Sequence, residues 1–243
     1  MNSNLLKHFF LTVILCTSLI LSSAACTTSK AGYSADPIYA EVVFEASLPQ
    51  ALPENTTVQL EVLDEISCLN FNPTRYDMSL KGETTYYVRL PILLNSVIKY
   101  RFILNTSPIT IEKDVEGKDI LYRMASIDEP KVVQDVVANW NNTPISSDKG
   151  TLTGHIVDAA TNISLPAVLV TIAGKQTFTD TNGAFTIENV PVGEHLLVAY
   201  HPTGAYQVFQ QKAVIANGLQ TPAIFAMVPA KYVNVSFHVD TPK

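Results

Sequence analysis

Residues 151–200 read TLTGHIVDAATNISLPAVLVTIAGKQTFTDTNGAFTIENVPVGEHLLVAY. Short β-branched and apolar runs alternate with turn residues, and nothing holds a helical period. Strands are predicted at Gly150–Asp158, Val168–Ile172, Gln176–Thr179, Gly183–Ile187 and His195–His201. Thr181-Asn182-Gly183 lies between two alternating runs. Asn-Gly there predicts a hairpin, because both central residues of such a turn need positive φ. Pro191-Val192-Gly193 makes the next corner, and Gln210–Val214 and Ala223–Val228 bring the set to seven strands. Strands without helices, joined by short turns, specify a sandwich.

The same grammar extends upstream. Tyr39–Leu48 (YAEVVFEASL) alternates with period two and puts Val42, Phe44 and Ala46 on one side. Thr57–Leu63, Thr84–Leu90, Val97–Leu104, Ile109–Glu112, Leu121–Ala125 and Val132–Val137 follow, punctuated by Pro53-Glu54-Asn55, Asn72-Pro73 and Glu116-Gly117. About seven strands are expected in residues 37–144. The polar break at Pro144–Gly150 (PISSDKG) is the expected boundary, with 145–150 as linker and 151–229 as the second unit. The fold class is all-β, two tandem antiparallel β-sandwiches.

Both ends of the chain carry further signals. Lys7, the apolar run Phe9–Leu21 and the small residues Ser22–Ala25 read as a signal peptide over 1–25. The run is too short to span roughly 30 Å of hydrocarbon. Small residues directly before Cys26 resemble the bacterial lipoprotein signal, which implies lipidation of Cys26 and a polar tether over 26–36. That places the protein in the cell envelope, attached to the membrane by a lipid anchor. The alternative is ordinary secretion, with cleavage after Ala25 and release outside the cell. Once Cys16 leaves with the signal and Cys26 is acylated, Cys68 stands alone, so neither an intrachain disulfide nor a thiolate metal site is expected. At the other end, Tyr232–Pro242 (YVNVSFHVDTP) aligns without gaps on Tyr39–Pro49 (YAEVVFEASLP). Residues 230–243 are therefore read as the first strand of an incomplete third domain.

Composition excludes several classes. The chain has 243 residues and a net charge of −6, so no basic surplus exists to neutralise phosphates and no nucleic acid partner is expected. Gly-x-Ser-x-Gly, His-Glu-x-x-His and a glycine-rich phosphate loop are all absent. His195 and His201 share a strand but find no third ligand at useful spacing. Asp180, Asn182 and Glu188 bring too few carboxylates together for calcium. The chain is read as a non-enzyme without cofactor or metal.

Two family resemblances follow from these residues. Gly154, Pro166, Thr179, Asp180, Asn182, Gly183, Phe185, Pro191 and Gly193 match the signature of the carboxypeptidase regulatory-like domain. That resemblance implies a seven-stranded, transthyretin-like sandwich, with Asp180 and Asn182 bracketing a turn and Phe185 in the core. Residues Tyr86–Trp140 (YYVRLP, KYRF, ITIE, LYR, VVQDVVANW) resemble the starch-binding domain of the family-20 carbohydrate-binding modules. The similarity implies that Asn70, Phe71, Asn72, Tyr86 and Arg101 carry a carbohydrate site, rings stacking on pyranose faces and polar groups fixing hydroxyls. Ile111 stands where that family has a stacking Trp. The packing alternative makes Phe71 and Tyr86 core residues and gives Arg101 a carboxylate partner. Glu112 and Arg123 are expected to form a structural ion pair between strands. Two functions follow as expectations: a surface protein presenting a module to starch or another glycan, or a structural stalk or adhesion array without sugar binding. A separate alternative makes both sandwiches accessory modules of a larger glycoside hydrolase.

Overall fold

The computed structural model describes residues 36–63 and 73–231. The signal, Cys26, Cys68, the loop residues Asn70, Phe71 and Asn72, and the 232–243 part of the terminal strand lie outside the described residues. Both sandwiches fall in one compact unit that begins at Pro37. Among the described residues there are sixteen strands and no helix.

The first sandwich contains β1 (Tyr39–Ser47), β2 (Val58–Leu63), β3 (Thr74–Asp77), β4 (Ser79–Lys81), β5 (Thr85–Leu93), β6 (Ser96–Leu104), β7 (Thr110–Ile111), β8 (Arg123–Ile127) and β9 (Lys131–Val136). One sheet runs β4-β5-β1-β9 and the other β3-β2-β6, with β7 and β8 sharing the far edge of β6. Val42, Phe44 and Ala46 point inward and are fully buried, as their alternation predicts. Phe44 meets Tyr100 edge-on with ring centroids 4.9 Å apart, and Tyr100 meets Phe102 at 6.0 Å. Edge contacts of this kind align ring quadrupoles favourably in a dry core. The strands β3 and β4 were not expected from the sequence. They are exposed on every residue, so no apolar alternation marks them, and they form strands by pairing with β2 and β5.

The second sandwich contains β10 (Lys149–Asp158), β11 (Leu169–Ile172), β12 (Lys175–Phe178), β13 (Ala184–Pro191), β14 (Gly193–Tyr200), β15 (Phe209–Ile215) and β16 (Gln220–Met227). Its sheets run β13-β10-β16 and β12-β11-β14-β15, the seven strands that the resemblance implies. Leu152, Ile156, Phe185, Leu197 and Ile215 fill the space between them. Phe209 stacks on Phe225 at 3.9 Å and 5°. Gly154 has a packing reason: a Cβ there would lie 2.1 Å from the Ala223 carbonyl oxygen and 2.4 Å from the Phe185 ring.

Two expectations need correction. Neither sandwich is wholly antiparallel, since β9 lies parallel beside β1 and β16 parallel beside β10. The Asn182-Gly183 turn makes no hairpin. It carries the chain from β12 in one sheet to β13 in the other, and only Gly183 of the pair has positive φ, +73°. The two-residue hairpin sits instead at Ala173-Gly174 between β11 and β12, with φ of +50° and +76°. Ala is a poor marker for that turn, which hid it from sequence. The two sandwiches also pack directly on each other. Met124, Leu169 and Val198 form a third apolar cluster between them, flanked by Val97, Tyr122, Leu196, Tyr200 and Val208.

This third cluster follows from strands that bury both faces. In β14, Leu197 and Ala199 face the second core while Leu196 and Val198 face the first sandwich. In β11 all four residues are buried, and in β8 four of five. Such strands read as unbroken apolar runs, as Leu196–Ala199 and Val168–Val170 do, because neither side returns to water.

Candidate functional site

The polar residues collect at the end of the first sandwich that meets the second. Arg123 on β8 is its centre. Its guanidinium donates to Glu112 Oε2 at 2.8 Å, to Asp135 Oδ1 at 2.9 Å and to the Val136 carbonyl at 3.0 Å. Glu112 also accepts from the Phe102 amide, and Tyr100 donates its hydroxyl to Asp135 Oδ2 at 2.8 Å. Exposures of 4% or less for Arg123, Glu112 and Tyr100 make this a buried ionic centre that ties one sheet to the other. Burial opposes the charge on Arg123, but Glu112 and then Asp135 outweigh it and hold the guanidinium protonated, above its ordinary range. Burial, and after it Asp135, push the Tyr100 phenol well above its usual value. The expected Glu112–Arg123 ion pair is present, and Asp135 joins it.

The second sandwich closes this end. Thr171, Ala173, Gly174 and Leu196 lie over Tyr100, Arg123 and Asp135, leaving a void of about 10 Å³. Gly174 is required there, because a Cβ would come within 2.7 Å of Ile120 on the first sandwich. Next to the hairpin, Lys175 reaches Glu116 at 2.9 Å and Asp114 at 3.1 Å. Lys175 lowers the Glu116 carboxyl. For Asp114, burial pushes upward, but the Lys118 amide and Lys175 hold the group below its ordinary value. On the other side Gln210 acts as a surrogate strand. The Ser126 amide donates to its Oε1 at 2.7 Å and its Nε2 donates to the Ser126 carbonyl at 3.3 Å. A cleft of about 220 Å³ runs beside it between β9, β14 and β15.

The sugar-site residues are distributed differently from the expectation. Tyr86 is buried in the first core. Arg101 is buried and donates to Glu61 Oε2 at 2.5 Å, while Arg75 takes Glu61 Oε1 at 2.9 Å. Both side chains hold the positions of the packing alternative, except that the partner of Arg101 is an interior carboxylate. Asn70, Phe71 and Asn72 lie outside the described residues. Ile111 lines an open groove with Lys113, Asp119, Trp140 and Asn142, and Trp140 packs half-buried against the core. The Lys113–Asp119 ion pair closes one side of this groove.

The remaining candidates are structural in their contacts. Asp180 Oδ1 accepts from the Asn182 and Ala184 amides, which satisfies the turn's own backbone. His195 is buried, and its Nε2–H donates to the Pro191 carbonyl at 2.8 Å, clipping β14 to β13 of the other sheet. His201 bonds Thr203 Oγ1 at 2.8 Å and rests on Tyr206. Among the described residues no cluster of His, Cys, Asp and Glu is arranged to hold a metal ion, and no helix is long and apolar enough to cross a membrane.

No family profile matches the chain, and no curated protein sequence is significantly similar to it. Among solved structures, the chain is similar to the Bacillus anthracis TIE protein at 16% identity and a TM-score of 0.29, covering 79% of this chain and 34% of that one. It is similar to the minor pilin of Streptococcus agalactiae at 13% identity and a TM-score of 0.31, covering 82% and 100%. The Klebsiella pneumoniae 5-hydroxyisourate hydrolase aligns over 34% of this chain and 92% of its own, at 24% identity and a TM-score of 0.26. The chain thus spans about a third of the length of the first. Scores this low define no common fold.

Two outcomes are expected of this polar centre. Replacing Arg123 with Leu leaves Glu112 and Asp135 buried without a counter-charge, and urea unfolding should show a loss of about 3–5 kcal/mol. A loss below about 1 kcal/mol would remove Arg123 from that role. For His195, burial lowers the imidazole pKa first of all, with the Arg123 charge acting in the same direction. Its Nδ1 faces no partner among the described residues. The unfolded chain therefore binds the proton more readily, so His195 contributes stability above about pH 6.5 that is lost as pH falls. Chemical denaturation between pH 7 and 5 should show a decline that His195→Gln flattens.

Proposed function

We propose that this chain is a non-catalytic structural element of a protein held outside the cell, a stiff two-sandwich segment of a stalk or adhesion array. The observation that carries the reading is the junction. Strands β8, β11 and β14 bury both faces, Gln210 pairs with the edge of β8, and Lys175 binds two carboxylates of the other sandwich. A tether between independent modules needs none of these contacts. A spacer that transmits direction needs all of them, because only a packed interface removes hinge freedom. Glycan presentation, the first of the expected roles, has less support, because Tyr86 and Arg101 are buried. Attachment to the envelope through a lipidated Cys26 is part of the proposal and is supported by Phe9–Leu21 and the small residues before that Cys.

Backbone ¹⁵N relaxation on the full chain should report a single rotational correlation time for residues of both sandwiches. Two distinct times, or retention of the protein on insoluble starch, would overturn the structural reading. The anchor is tested separately by fractionating cells that express the protein. Wild type should sediment with membranes and Cys26→Ser should be released, whereas equal release of both would exclude lipidation.

A further inference from the structure

The two sandwiches have different sheets and different cores, yet they share one feature. In each, the strand where the chain enters is hydrogen-bonded in parallel to the strand where it leaves. β1 and β9 are in register from Val42↔Lys131 to Ser47↔Val136, and β10 and β16 from Thr151↔Gln220 to Asp158↔Met227. From this topology we infer that each sandwich is a shear clamp built to resist tension along the chain. The inference rests on the structural reading above and adds the load that such a segment would carry.

The argument is geometric. Tension pulls the entering strand back toward its N-terminal end and the leaving strand forward toward its C-terminal end. Two parallel neighbours are then dragged in opposite senses along their common axis. Every bond of the ladder bears the load at the same time, so none can open before the others. Pulling the same two strands apart from one end would instead break their bonds one after another. Net bond strengths of about 1 kcal/mol are weak singly, so simultaneous loading decides the resistance.

Flanking contacts hold both clamps in place. β1 is also paired to β5 along its whole length, from Tyr39↔Leu93 to Ser47↔Thr85. The Val137 amide donates to the Ser47 carbonyl at 2.9 Å, which prolongs the β1–β9 ladder past its last strand residue. β10 is likewise central, with β13 on its other side. Beyond the end of β16, the Gln207 amide donates to the Val228 carbonyl at 2.8 Å and the Ala230 amide to the Ala205 carbonyl at 2.9 Å. Arg123 and its bonds to Asp135 Oδ1 and the Val136 carbonyl fasten the leaving strand β9 to the other sheet. Sliding β9 must break the Val137 and Arg123 bonds, and sliding β16 those at Val228 and Ala230.

Optical-tweezer measurements on the full chain in two pulling geometries test the inference. With handles at the two chain ends, both clamps are sheared, and two rupture events at high force are expected. With one handle at exposed Thr161, just after the C-terminal end of β10, and the other at the chain's C-terminal end, β10 and β16 are peeled from their shared end. Peeling should rupture the second sandwich at a force severalfold lower than shearing does. Equal forces in the two geometries, or a lower force end to end, would overturn the clamp. The internal handle needs Thr161→Cys at an exposed position, and both geometries are pulled on that one variant after its circular dichroism is matched to the wild type. The comparison is also separable from the reading it rests on. A low shearing force with a single rotational correlation time removes the clamp and leaves the stiff segment, whereas two correlation times remove the stiff segment whatever the force.

Discussion

One guanidinium holds three backbone segments of the first sandwich together. Arg123 reaches Glu112 beyond β7, Asp135 on β9 and the Val136 carbonyl, so β8 of one sheet and β9 of the other cannot separate without exposing an ion pair. A charged group in an apolar interior is tolerated only when its partners are complete and water is kept out. The partners come from the first sandwich and part of the seal comes from the second, through Thr171, the Ala173-Gly174 turn and Leu196. The position of the second sandwich is thus tied to the electrostatics of the first.

The junction follows from this dependence. Strands that would be outer layers in a free sandwich become inner layers, and their outward side chains, Met124, Leu169, Leu196 and Val198, are apolar accordingly. Polar contacts ring this cluster and do not interrupt it. Gln210 satisfies the exposed amide and carbonyl of Ser126, and Lys175 answers the acidic loop at Asp114 and Glu116. Apolar burial supplies the affinity between the two bodies and the polar groups set the register, the usual division of labour in interfaces.

Most of the strands could be read directly from the sequence, because period-two alternation with turn residues between runs has no competing helical reading here. What escaped did so for identifiable reasons. β3 and β4 bury no side chain and leave no apolar trace. The Ala173-Gly174 hairpin was missed because Ala carries a Cβ that normally avoids positive φ, and only the fixed β11–β12 register imposes it there. The Asn182-Gly183 turn was misassigned because a turn's residues do not say whether the chain re-enters the same sheet. Tyr86 and Arg101 entered the expected sugar site through the family resemblance, and a resemblance in sequence does not say which side chains the packing buries. Glu61, the partner that draws Arg101 into the interior, is forty residues away in the chain.

The amino-acid sequence by itself determined the all-β class, two successive strand sets, most strand boundaries and, through a family resemblance, the Glu112–Arg123 pairing. Apart from that pairing, each depends on side-chain size, alternation or local turn chemistry, which act over a few residues or within one sheet. Only the tertiary structure decided that the first and last strands of each sandwich lie parallel, that Asp135 joins the Arg123 centre, and that the two sandwiches pack against each other. Those outcomes depend on which distant segments meet. An apolar residue buried against its own sandwich and one buried against its neighbour lose the same contact with water, so hydrophobicity alone does not tell them apart.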